Sequence, residues 1–178
     1  SGDPTHDGSC PQLHPSGRLR HLLTLRSLDQ ATLIRLMDRA EDYLSPPGMP
    51  VARNQRLIGR TVANLFFEPS TRTRASFELA AKRLGAEVLN LDVNMSSRKK
   101  GESILDTIYT LQAMQVDLFV VRDASAGVPE YIARHVQSHV SVLNAGEADV
   151  AHPTQGLLDL LTIRQFKGDF SQLRIAIV

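Results

Sequence analysis

The chain has no tryptophan, one cysteine in 178 residues and only 5% aromatic side chains, and its 20 Lys and Arg are balanced by 19 Asp and Glu to a formal charge of +1. Each shortage excludes something. Near-neutral charge leaves no electrostatic footprint for DNA or RNA, and few aromatics leave little material for base-stacking platforms. Cys10 alone cannot form an internal disulfide, and no Cys/His cluster has zinc spacing, so neither a disulfide framework nor a metal is expected. No apolar run reaches the roughly 18 to 20 residues that cross a bilayer, and no charged-then-apolar signal opens the chain. The expectation is a cytoplasmic protein of one domain, with no membrane or nucleic-acid partner and no cofactor.

What is present falls into two regions. Ser1 to Gly17 mix Gly, Pro, His, Ser and Asp without apolar periodicity, the composition of a flexible extension. Residues 18–178 read as a single folded domain. Ser27-Leu28-Asp29-Gln30 has the form of a capping box and opens a helix to about Leu44, ended by Ser45-Pro46-Pro47-Gly48. From Thr61 onward, short apolar runs alternate with helical periodicity. Strands are expected at Val62–Phe67, Glu87–Val93, Leu118–Arg122, Val140–Asn144 and Arg174–Val178. Helices are expected at Thr71–Leu84, Ser103–Met114, Pro129–His135 and Pro153–Phe166. This alternation predicts an α/β fold: an open, mostly parallel sheet with helices on both faces, preceded by an N-terminal helix. Ligands of such sheets bind at the carboxyl ends of the strands. A parallel strand at the chain terminus reads as an interrupted fold.

Three constellations fall at those strand ends. In Phe66-Phe67-Glu68-Pro69-Ser70-Thr71-Arg72-Thr73-Arg74, a strand gives way to a helix with Ser70 at the cap position. The next amides are then free donors at the positive end of the helix dipole, beside hydroxyls and guanidinium groups. This is a phosphate or carboxylate site built without a Gly-rich loop. An ordinary Ser cap with surface arginines is the simpler reading, and the density of donors argues against it. His152-Pro153-Thr154-Gln155 repeats the geometry, with Pro153 suited to the first helical position and both polar side chains facing the same crevice. His152 either merely caps the helix or supports an oxyanion; the residues alone do not choose. Arg122 closes the apolar run Leu118-Phe119-Val120-Val121 at the same rim. The basic stretch Met95 to Ser103, taken alone, is a solvated loop. His6, His14, His21, His135 and His139 read as structural or surface residues. No G-x-G-x-x-G, Walker loop, nucleophile elbow or H-E-x-x-H occurs.

Taken together, these segments resemble the carbamoyltransferases. Ser70-Thr71-Arg72-Thr73-Arg74 is similar to that family's carbamoyl-phosphate motif and His152-Pro153-Thr154-Gln155 to its second signature, in the expected order across Leu19 to Val178. Phe66-Phe67-Glu68 and Lys99-Lys100-Gly101-Glu102 resemble the catalytic chains of the aspartate enzymes more than the ornithine ones. The resemblance implies transfer of a carbamoyl group from carbamoyl phosphate to L-aspartate in pyrimidine synthesis. Ser70, Thr71, Arg72 and Thr73 would hold the phosphate, with Arg72 compensating charge on the leaving group. Thr73, Arg122 and His152 would hold the carbonyl oxygen and Gln155 the carbamoyl NH2. Ser96, or Ser97, and Lys100 would reach a neighbouring subunit's site in a homotrimer. It further implies a second, aspartate-binding domain absent from this sequence, and an N-terminal extension like those of chains that associate with a dihydroorotase or dihydroorotase-like subunit. Asp123 departs from the pattern, since the family usually places His after the arginine. Ornithine carbamoyltransferase and a non-catalytic assembly subunit are the alternatives.

Overall fold

The computed structural model describes residues 11–93 and 104–176. Five helices and four strands are described: α1 Gln30–Glu41, β1 Thr61–Phe66, α2 Thr71–Arg83, β2 Glu87–Asp92, α3 Ile104–Ala113, β3 Leu118–Asp123, α4 Val128–His135, β4 Ser141–Glu147 and α5 Pro153–Lys167. The strands form one parallel sheet in the order β2-β1-β3-β4, so Leu65 of β1 lies between Leu91 and Val121. After β2 the chain returns to the other side of β1. The strand order therefore reverses between β1 and β3, and the crevice beyond their carboxyl ends is where open sheets of this kind bind ligands.

The two faces of the sheet carry separate cores because side chains alternate along each strand. Ala63, Leu65, Phe119, Val121 and Val142 pack with Ile108 and Leu111 of α3 and with Ile132 and Ala133 of α4. Val62, Phe66 and Val120 pack on the opposite face with Ala81 of α2. Phe119, Leu65, Ile108 and Ile132 are essentially inaccessible to solvent, and each contributes about 1.5–3 kcal/mol by burial. α1 is joined to α5 by Arg164, whose guanidinium lies 2.7 Å from Asp38 Oδ1 and 2.8 Å from Glu41 Oε1.

Three expectations need correction. The cap of α1 is Asp29, whose carboxylate accepts the Thr32 amide at 2.7 Å. Ser27 is engaged elsewhere: its hydroxyl accepts from Gln12 Nε2 at 2.8 Å. Gln12 itself lies in the stretch expected to be a flexible extension, yet it is fully buried, and its Oε1 accepts the Leu23 amide at 2.6 Å and the Thr24 amide at 2.9 Å. Gln12 thus ties this segment to the domain, while residues 1–10 lie outside the described residues. Finally, residues 174–176 of the expected last strand are exposed and form no strand; Ile177 and Val178 lie outside the described residues. The outer edge of β4 is already taken by Leu22, whose N–H donates to Val142 O and whose carbonyl accepts from Asn144 N, both at 2.9 Å.

That N-terminal clip carries a titratable group. His21 is buried, and its Nδ1 accepts the Val142 amide at 2.9 Å. Burial, reinforced by the adjacent Arg20 charge, pushes its pKa down from 6.5 to about 4. An unfolded chain takes up this proton near pH 6.5, the folded one only near pH 4. Stability is therefore complete above the first value and falls as pH drops toward the second, by an amount on the order of 2 kcal/mol. Urea unfolding followed across that interval should show the loss, and His21→Asn, which can accept the same amide without titrating, should lose less. Identical losses in the two proteins would remove His21 as the cause.

Candidate functional site

The end of β1 runs through Phe67, Glu68 and Pro69 into α2. Ser70 occupies the cap position; among the described residues its hydroxyl makes no capping bond, and its carbonyl accepts the Arg74 amide at 3.0 Å. Among the described residues the amides of Thr71, Arg72 and Thr73 have no acceptor, as expected for the first turn of a helix. Thr71 and Arg72 are exposed or half-exposed at the rim, as are Ser70 and Thr73. The first turn holds no acidic residue, so nothing on the helix offsets the positive end of its dipole.

Arg122 lies in β3 opposite Phe66, and its carbonyl accepts the Phe67 amide at 2.9 Å, which joins the two strand ends. Its guanidinium is held from both sides. Nε lies 2.7 Å from Glu68 Oε1, and Nη1 donates to Ala145 O at 3.1 Å. Glu68 stands two residues before Ser70, so this pair places Arg122 beside the start of α2.

The third part arrives from β4, which continues past the expected end at Asn144 to Glu147, with a register irregularity against β3 between Val121 and Asp123. Gly146 has φ of 129°, and a Cβ there would sit 2.4 Å from Arg122 Nη1 and 3.4 Å from His152 Cδ2. Arg122 and His152 thus converge on the bare backbone of Gly146. His152 caps α5 by position, with no side-chain capping bond, and Pro153 follows as the first helical residue. Thr154 Oγ1 is 3.5 Å from His152 Nδ1. Burial, and then the Arg122 charge, lower the pKa of His152 below its ordinary 6.5.

Other expected residues stand apart from this group. Gln155 is exposed, and its Nε2 donates to Asp159 Oδ1 at 2.9 Å along the helix. Asp123 is buried and turned toward its own loop, where its Oδ1 accepts the Ser125 amide at 2.8 Å. The rim at this point is carried by Arg122. Ser96, Ser97 and Lys100 lie outside the described residues. Sequence reasoning quotes Glu68 without giving it a role and passes over Gly146. A glycine at a strand end marks a bulge or a close backbone approach, but the expected strand stops two residues short of it.

A helix start with free amides, an arginine and a neutral histidine at the switch point of a parallel sheet can hold a phosphate and stabilise charge on a neighbouring oxygen. Residues 20–165 match the family described as aspartate/ornithine carbamoyltransferase, carbamoyl-P binding domain. The chain belongs to this family. Among solved structures it is similar to the catalytic subunit of M. jannaschii aspartate transcarbamoylase, at 36% identity and a TM-score of 0.72 over 85% of this chain and 48% of that one. Aspartate transcarbamoylase from Trypanosoma cruzi in complex with aspartate and phosphate matches at 35% identity and a TM-score of 0.72, over 84% of this chain and 46% of that one. Ornithine carbamoyltransferase from Thermus thermophilus is also similar, at 29% identity and a TM-score of 0.66, over 86% of this chain and 50% of that one. The chain spans about half the length of these relatives. In this carbamoyl-phosphate-binding domain Arg122 is paired with Glu68, two residues before the cap of α2, and stands with His152 at Gly146. Among the described residues no helix is long and apolar enough to cross a membrane.

Proposed function

We propose that this chain supplies the carbamoyl-phosphate half of an aspartate carbamoyltransferase catalytic chain. The observation that carries the reading is the meeting of Arg122 and His152 over Gly146 beside the first turn of α2. Ser70, Thr71, Arg72 and Thr73 hold the phosphate, with Arg72 compensating charge on the leaving group. Thr73, Arg122 and His152 hold the carbonyl oxygen. Gln155 receives the carbamoyl NH2: with its Nε2 donated to Asp159, its Oε1 is left as an acceptor, the polarity an NH2 group needs.

The reaction then requires no side-chain nucleophile. The uncharged amine of aspartate attacks the carbonyl carbon with its lone pair, and the carbonyl oxygen becomes an oxyanion. Collapse breaks the bond from carbon to the phosphate oxygen, and phosphate leaves with that electron pair while the amine loses a proton. Donors fixed on the oxyanion contribute about 3–4 kcal/mol each in comparable sites, and holding both substrates in one place contributes through effective molarity.

The amine specificity belongs to a second domain in this reading, and the preference for aspartate is supported by the similarity to aspartate transcarbamoylases at 35–36% identity against 29% for the ornithine enzyme. Assay of the complete polypeptide with carbamoyl phosphate and either L-aspartate or L-ornithine tests it directly. Carbamoyl-aspartate should form; product from ornithine alone would overturn the choice of acceptor, and product from neither would favour a non-catalytic assembly subunit.

We also propose a homotrimer in which Ser96, or Ser97, and Lys100 complete a neighbour's site. Mixed trimers of Arg72→Ala and Lys100→Ala chains should recover activity that neither homotrimer has, since some sites draw both intact residues. Absence of recovery would count against sharing. The N-terminal residues 1–17 are the proposed contact for a dihydroorotase-type subunit, testable by co-purification with and without them.

A further inference from the structure

Two buried polar side chains flank the Ala145–Gly146 dipeptide beneath Arg122 and His152, and the reaction as written uses neither. Asn144 is inaccessible to solvent and Glu147 is nearly so. Asn144 uses both amide protons, donating to Leu23 O at 3.0 Å and to Glu147 Oε2 at 2.9 Å, while its Oδ1 accepts the Gly146 amide at 3.0 Å. The other oxygen of Glu147, Oε1, accepts the amide of Gly127, the residue that caps α4 after the loop leaving Arg122. The Glu147 backbone closes the tight turn leading to His152: its N–H donates to Ala151 O at 3.0 Å, and its carbonyl accepts from Val150 at 2.9 Å.

One carboxylate thus joins the loop after β3, the end of β4 and, through its own backbone, the residue before His152. We infer that Glu147 is a positioning residue that sets the height of the Ala145–Gly146 floor, and with it the placement of Arg122 and His152. The inference rests on the reading that these two side chains hold the carbonyl oxygen. Arg122 reaches the floor through Ala145 O and contacts the Gly146 backbone, whereas Glu147 grips the same dipeptide through Asn144. Both side-chain partners of Glu147 are donors. A glutamine there keeps the volume but presents an NH2 to one of them whichever way its amide turns, so one bond is lost and a donor faces a donor.

The test uses Glu147→Gln, Arg122→Ala and the double variant in the complete polypeptide, assayed with carbamoyl phosphate and L-aspartate, with inorganic phosphate binding measured by calorimetry. Glu147→Gln should lower kcat by about 10- to 100-fold, the range for a displaced supporting shell, while phosphate, held by the start of α2, binds within about twofold of wild type by the same reasoning. In the Arg122→Ala background the same substitution should cost clearly less than it does in wild type, because one of the two residues it acts through is gone and only His152 remains. A kcat unchanged by Glu147→Gln, an equal loss in both backgrounds, or a parallel loss of phosphate binding would each overturn the positioning role. If Glu147→Gln does not accumulate folded, Glu147→Asp, which keeps the charge and shortens the reach, carries the test under the same criteria. An Arg122→Ala enzyme with full activity would instead overturn the role given to Arg122, and the inference with it. Loss in Arg122→Ala without loss in Glu147→Gln overturns the clamp alone.

Discussion

Gly146→Ala is expected to cost the complete enzyme a factor on the order of 10² to 10³ in kcat, the size of losing one oxyanion donor. The cause is geometric. The new methyl carbon would lie 2.4 Å from Arg122 Nη1 and 3.0 Å from its Cζ, inside van der Waals contact. The guanidinium is the far end of a flexible chain and is partly exposed, so it can swing aside without disrupting the core. Doing so ends its bond to Ala145 O and moves it from its place over Gly146. Stability falls separately, because φ of 129° is a region that L side chains rarely adopt; about 1–3 kcal/mol is the expected strain. Kinetics and urea unfolding of Gly146→Ala and Arg122→Ala should therefore show similar turnover but lower stability in the glycine variant. Wild-type turnover in Gly146→Ala would mean that the position of Arg122 over this glycine is irrelevant to the chemistry.

The contrast between Gly146 and its neighbours shows what the sequence can convey. The strands are legible because each is a short apolar run, and in β3 Phe119-Val120-Val121 is buried on both faces. Helix starts are legible where a cap residue and Pro coincide, as at His152-Pro153. The N-terminal clip is not legible, because Gln12 and His21 are held by side-chain bonds to distant backbone at Leu23, Thr24 and Val142, and no periodicity encodes such bonds. Composition alone makes that segment look like a tail. Ser27 and Asp29 are equally plausible caps, and the choice is settled by Gln12, fifteen residues upstream of Ser27. In the site, the turn from Ser70 to Thr73 can be placed from its own residues. The pairing of Glu68 with Arg122 cannot, since it depends on β1 and β3 becoming neighbours while β2 goes to the other side.

His152→Ala should lower kcat of the complete enzyme by about 10² to 10³ while changing carbamoyl phosphate affinity much less, the pattern of a contact that strengthens only as the oxyanion forms. The protonation state decides how this residue can act. Burial, then the positive charge of Arg122, hold its pKa below the ordinary 6.5, so at neutral pH the ring is uncharged. The Thr154 hydroxyl lies 3.5 Å from Nδ1; in the tautomer in which it donates to that nitrogen, the ring proton sits on Nε2 and is the one offered to a carbonyl oxygen. A neutral amide can do the same work. His152→Gln should thus recover part of the activity that His152→Ala loses, whereas a role as imidazolium or general acid would leave both variants equally impaired. The sign of the pH effect follows from the same two causes. Burial and the Arg122 charge hold the pKa of His152 below its ordinary value, and removing the Arg122 charge should move it upward. NMR titration of the His152 ring in wild type and Arg122→Ala measures this; an unchanged or lower value in the variant would show that Arg122 does not act on the ring.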